Sequence, residues 1–122
     1  MIPEGLSVAE DPYIPEVRRL YWLKSVLLDP ADPEPERPAV VLVISGMPGG
    51  EILVGLRTST EANGTHHDKH PEHGLGKAGR FSRGRSINPE LWTPSNARSL
   101  GLLLDEETFA YVCRDLLPEG LV

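Results

Sequence analysis

The chain has 122 residues, 39% of them apolar and 25% charged, with a formal net charge of −6 and one cysteine. That length suits one domain with one real core, and the composition argues against long-range disorder and against a general nucleic-acid coating protein. One cysteine excludes an internal disulfide and a cysteine-based zinc site, no apolar run approaches the roughly 20 residues of a membrane helix, and the first residues lack the pattern of a signal peptide, so the expected compartment is the cytoplasm.

Residues 1–17 hold three prolines and four acids and read as an extended acidic arm. Leu20-Tyr21-Trp22-Leu23-Lys24-Ser25-Val26-Leu27-Leu28 is an aromatic and apolar run that predicts a buried strand, with Tyr21 and Trp22 as a core and sheet pair. Asp29 to Glu36 carries three prolines and four acids and must be a loop. Pro38 suits the opening of a strand and forces Arg37 into extended geometry. Ala39 to Ile44 is the clearest strand in the chain. Gly46 to Gly50 is short enough for a hairpin turn, which brings Ile52 to Thr58 back alongside. Gly55 within that strand marks a bulge or a close backbone approach.

Residues 59–79 form a long polar loop, of the kind that is either functional or disordered. Arg80 to Ile87 reads as a short strand or an irregular crossing segment. Thr93-Pro94 resembles a helix cap followed by proline at the first helical position, predicting a helical turn that runs to Ser99. After a short apolar run, Leu100 to Leu104, Asp105 caps a helix over about 105–117. Glu106 and Glu107 sit at its positive end, and Phe109, Val112, Cys113 and Leu116 form one apolar stripe. Pro118 and Gly120 end it, and Cys113 is expected to be inert core. The order of elements is mainly β with a C-terminal helix: a small, partly open barrel or curled antiparallel sheet with the helix packed on it, as a single domain over 18–122.

Charge is unevenly spread. Residues 1–51 carry nine acids and four bases, residues 52–100 four acids and seven bases, and residues 101–122 five acids and one base. A phosphate-facing surface therefore has to draw on the middle third and on Arg37, although an arginine-rich solvated loop explains the same numbers. Arg37 projects from a rigid strand start with a guanidinium suited to forking onto a phosphate; the plainer role is pairing with Glu34 or Glu36. Arg57, Thr58, Ser59 and Thr60 end the next strand and offer hydroxyls and amides to phosphate oxygens; the plainer role is turn formation. Both groups stand at the ends of adjacent strands, where a pocket rim falls. Trp92 and Phe81 are candidates for stacking bases, with core packing as the competing role.

His66, His67, His70 and His73 lie within eight residues. On a helix, His66, His70 and His73 would share a face and suit a divalent metal. Gly64, Pro71 and Gly74 break that helix, so a polar surface loop or a general base near neutral pH competes with the metal reading. Gly74-Leu75-Gly76-Lys77-Ala78-Gly79 has G-x-G-x-x-G spacing but follows no strand and opens no helix, so it carries no weight as a dinucleotide site.

Tyr21-Trp22-Leu23, then Glu36-Arg37-Pro38-Ala39-Val40-Val41-Leu42, then Ile52 to Ser59, and finally Leu100-Gly101-Leu102-Leu103 leading into the last helix together resemble the PemK/MazF family of toxins from toxin–antitoxin systems, over about residues 18–117. The resemblance implies an SH3-like barrel, a homodimer, and a metal-independent endoribonuclease that cleaves single-stranded RNA without a cofactor and is neutralised by a cognate antitoxin. It implies catalytic roles for Arg37 and Thr58; the strand end, the histidine loop and the cationic middle third add Arg57, Ser59, His66, His70, Arg80, Arg83 and Arg85 as substrate-binding candidates. Arg57 stands where the family pattern is usually small or aliphatic, and the histidine loop is longer than the common pattern. The competing readings are a non-catalytic SH3-like binding module or degenerate toxin, and a metal-binding protein using the histidine loop.

Overall fold

A computed structural model of the chain describes residues 13–28, 31, 35–44, 51–60 and 63–117. The expected turn at Gly46–Gly50, the terminators Pro118 and Gly120, and residues 1–12 of the acidic arm lie outside the described residues. The strands are β1 (Arg19–Lys24), β2 (Glu36–Ile44), β3 (Ile52–Thr58), β4 (Thr65–His67), β5 (Gly79–Ile87) and β6 (Ala97–Leu103), followed by the helix α1 (Glu106–Leu116). Short 3₁₀ turns occupy Ser25–Leu27, Pro71–His73 and Pro89–Leu91. The strands make one antiparallel sheet in the order β4-β5-β3-β2-β1-β6. It curls into a half-barrel with the helix on one side.

Both faces of the sheet are buried, which explains the near-continuous apolar runs of β1, β2 and β3. One face carries Tyr21, Leu23, Ala39, Val41, Ile52 and Val54 against Leu27, Leu28, Ile87 and Trp92. The other carries Leu20, Val40, Leu42 and Phe81 against Leu75, Leu100, Leu104 and Val112. The helix seat is made by glycine on two paired strands. Gly55 lies opposite Gly84, and a Cβ on Gly55 would come within 3.0 Å of Leu116 and 3.3 Å of Val112. The close backbone approach read from Gly55 is therefore that of α1.

Three local expectations are corrected. The run from Leu20 to Leu28 is not one strand: it leaves the sheet after Lys24 and tightens into the 3₁₀ turn. Turn spacing lets Leu27 and Leu28 join the core of Leu23 while Val26 stays 51% exposed. The loop 59–79 contains β4 and the 3₁₀ turn at Pro71–His73, because Thr65, His66 and His67 pair with Phe81, Arg80 and Gly79. After Thr93-Pro94 the chain makes only one turn, closed by bonds from Asn96 N and Ala97 N to Thr93 O at 3.0 and 2.9 Å. It then enters β6, since pairing of Ala97 and Ser99 with Leu23 and Tyr21 completes a ladder that a helix to Ser99 would leave open.

The helix starts as expected. Asp105 Oδ2 accepts from Thr108 N at 2.9 Å, and Phe109, Val112, Cys113 and Leu116 pack into the second core face.

Candidate functional site

The antiparallel register of β2 and β3 builds the site. Ala39 faces Leu56, so two residues further along each strand come Arg37 at the start of β2 and Thr58 at the end of β3. Pro38 lies opposite Trp22 of β1. Together Arg37, Pro38, Thr58, Ser59, Thr60, Trp22 and Glu36 line a groove of about 480 Å³, whose other wall is Gly74-Leu75-Gly76-Lys77. Its one carboxylate among the described residues, Glu36, lies 3.1 Å from Arg98. Arg37 and Lys77 give the groove cationic character, and the half-buried Trp22 gives it an aromatic wall. Thr58 Oγ1 accepts from Thr60 N at 3.2 Å and lies 3.0 Å from Thr60 Oγ1, which fixes the hydroxyl at the groove edge.

Arg57 also lines the groove, but from behind, at 4% exposure. Strand alternation puts it on the face of Gly55, and a bulge in β5 brings Phe81 to the same side: Leu56 pairs with Arg83 and Arg57 with Phe81, leaving Ser82 unopposed. Its Nε donates to His67 Nδ1 at 2.8 Å. Its Nη2 donates to the carbonyls of Lys77, Asp68 and His67 at 2.9, 3.1 and 3.3 Å. Desolvation pushes this guanidinium below its ordinary value. Because guanidinium Nε can only donate, His67 Nδ1 must be the lone-pair nitrogen and Nε2 must carry the proton. Burial, with the Arg57 guanidinium and the neighbouring His70 adding to it, holds His67 down at about 4, so the ring is neutral at physiological pH.

The other predicted residues are not in this groove. His66 and His70 line a second hollow of about 390 Å³ together with His67, Asp68, Leu102, Leu103, Asp105 and Thr108. His66 Nε2 lies 3.7 Å from Asp68 and His70 Nδ1 3.5 Å from Glu72. His73 donates from Nδ1 to Leu100 O at 2.9 Å. The helical face that would have aligned His66, His70 and His73 is replaced by β4 and a 3₁₀ turn, and no group of three or more metal-ligating side chains converges among the described residues. Arg80 donates to Gly64 O at 3.0 Å. Arg83 is exposed on β5 opposite Leu56. Arg85 donates to Leu28 O and lines a third hollow beneath the end of α1. Phe81 and Trp92, weighed as stacking residues, are core at 0% and 4% exposure; Trp92 packs edge-on against Tyr21 at 4.9 Å.

Sequence reasoning missed Trp22 and Lys77. Tyr21 and Trp22 are expected as one core pair, yet neighbours in a strand face opposite sides: Tyr21 shares the face of Leu23, while Trp22 packs half-buried against the second core face and also lines the groove. The usable signal was its position across the sheet from the Arg-Pro step. Lys77 lay in a glycine-rich segment whose local pattern points to nothing, because its place in the wall depends on Arg57.

No family model matches this chain, and neither a curated protein nor a solved structure does. Among the described residues, no helix is long and apolar enough to cross a membrane.

Proposed function

We propose that this chain is a metal-independent endoribonuclease of the PemK/MazF toxin type that cleaves single-stranded RNA. The observation that carries the reading is that Arg37 and Thr58 share one groove with a cationic and an aromatic wall. Phosphate groups suit the guanidinium fork, and an unpaired base suits the face of Trp22. The half-barrel is read as the SH3-like barrel of that family.

In this reading the RNA 2′-oxygen attacks the adjacent phosphorus, the bond to the 5′-oxygen breaks, and a 2′,3′-cyclic phosphate and a 5′-hydroxyl are left. Arg37 stabilises the charge that builds on the phosphorane oxygens, and the Thr58 hydroxyl donates to one of them. Preorganised donors of this kind contribute roughly 10²–10³ each in rate. Glu36, at the start of β2, is the groove's acceptor for the 2′-hydroxyl proton, solvent water protonates the leaving oxygen, and the Lys77 ammonium on the loop wall pairs with a flanking phosphate and so serves binding. A homodimer acting in the cytoplasm, with an antitoxin whose acidic segment covers the cationic groove, completes the proposal.

The test is incubation of the purified chain with a long unstructured RNA in chelator, followed by end mapping. Discrete cuts with cyclic-phosphate ends are expected, and Arg37→Ala abolishes them while its circular dichroism stays native. Unchanged cleavage by Arg37→Ala refutes the mechanism. RNA retained without a cut assigns the groove to a non-catalytic binding module instead.

A further inference from the structure

We infer that Arg57 and His67 are a positioning pair that fixes the loop wall of the groove and thereby sets affinity for RNA, while the chemical step belongs to the strand ends. The RNA part of this inference rests on the function proposed above; the fixing of the wall does not.

The segment between β3 and β5 is tied at a few points, by the β4 ladder, the His70–Leu75 bridge and the His73 bond to Leu100 O, and has little apolar packing. It is polar, its strand β4 is three residues long, and among its described residues the one buried apolar side chain is Leu75, at 3% exposure. Yet Gly74 to Lys77 is one of the two walls of the groove. Arg57 reaches across from β3 and grips both ends of the stretch that carries this wall. It holds His67 and Asp68 on one side and the Lys77 carbonyl on the other. Arg37 and Thr58, by contrast, are held by the sheet ladder and do not need this grip.

The packing is closed around the pair. The His67 ring stacks on His70 at 5.0 Å and leans on Phe81 at 5.3 Å. A Cβ on Gly79 would sit 3.0 Å from Arg57 Nη1 and 2.7 Å from Thr58 O, so the guanidinium occupies space that only glycine leaves open. The pair also forms the partition between two hollows, since Arg57 lines the groove and His67 lines the second one. This accounts for an arginine at a position where the family pattern is small or aliphatic.

The grip needs a neutral ring. The groups facing His67 are Arg57 from β3, His70 from the turn that follows β4, Asp68 beside it in the chain, and Asp105 from the cap of α1. Arg57 and His70 disfavour a proton on the ring, and the two carboxylates favour one. A proton on Nδ1 would replace an acceptor with a donor facing Arg57 Nε, and the wall would come free.

The experiment compares His67→Asn, whose side-chain oxygen takes the place of the Nδ1 acceptor, with His67→Leu, which has none. Two quantities are read on the full chain: amide exchange across 68–77, and KM and kcat on single-stranded RNA. His67→Leu is expected to speed exchange across 68–77 by about tenfold or more with β3 and β5 unchanged, and to raise KM by about tenfold with kcat within about twofold. His67→Asn stays close to wild type in both. Wild-type exchange in His67→Leu, a failure of His67→Asn to restore the wall, or a fall in kcat at constant KM overturns the inference. If the wild-type chain neither binds nor cleaves RNA, the ribonuclease proposal falls alone and the exchange result still decides the fixing of the wall. If His67→Leu does not fold, exchange across 68–77 in the wild-type chain is followed as His67 is protonated; no acceleration in that segment overturns the inference.

Discussion

Replacing Arg57 by methionine keeps an unbranched stem of similar reach and removes every donor. The guanidinium makes four hydrogen bonds to His67, Asp68 and Lys77. Nη2 has only two hydrogens for three carbonyls, so these count as about three effective bonds, and charge-assisted bonds contribute roughly 1.5–3 kcal/mol each. Against their loss stands the removal of a buried charge, which returns part of the desolvation cost. The net expectation for Arg57→Met is a loss of about 3 kcal/mol, a large share of the roughly 5–15 kcal/mol that holds a domain together. That corresponds to a fall in Tm on the order of 10–20 °C. Urea unfolding followed by circular dichroism measures it, and the double variant with His67→Leu measures the coupling. A coupling energy of about 1 kcal/mol or more is expected between two side chains in direct contact. A loss below about 1 kcal/mol, or strict additivity of the two substitutions, would refute the reasoning that this pair bears on the stability of the loop.

Three further outcomes are expected. The His67 ring is held at about 4 in the fold against 6.5 unfolded. The unfolded chain therefore takes up a proton that the folded chain refuses; stability is full above pH 6.5 and declines, by about 1–3 kcal/mol, as pH falls through 6.5 towards 4. Unfolding curves of the wild type and His67→Asn over that range check this, and identical slopes would contradict it. Gly64 has φ of +106°, and a Cβ there would lie 2.4 Å from Phe81 O. Gly64→Ala should then cost about 2 kcal/mol or more and loosen the pairing of β4 with β5, as thermal unfolding would reveal. Asp105→Ala removes the acceptor for Thr108 N and should cost about 1 kcal/mol, with Asp105→Asn retaining most of it. The same substitution removes a carboxylate that favours a proton on His67, so an NMR titration should show that ring titrating lower still.

What could be read without coordinates were the features written in local pattern. β2 and β3 declare themselves by unbroken apolar runs beside proline and glycine, and α1 by its cap and its apolar stripe. Arg37 and Thr58 could be brought together on paper because an antiparallel hairpin sets the start of one strand beside the end of the next. Tertiary structure alone decided the rest. Among the described strands β4 and β6 stand at the two ends of the sheet, and their weak patterns become strands only against β5 and β1. Trp22 and Tyr21 look alike in sequence, and the sheet sets Tyr21 in one core face and Trp22 half-buried against the other, where it also lines the groove. Arg57 reads as a phosphate-binding cation at a strand end, and only the packing of a loop ten residues downstream sets His67 against it. Periodicity is a property of neighbours along the chain. The partner of a buried polar group is a property of the packing, and it has no local signature.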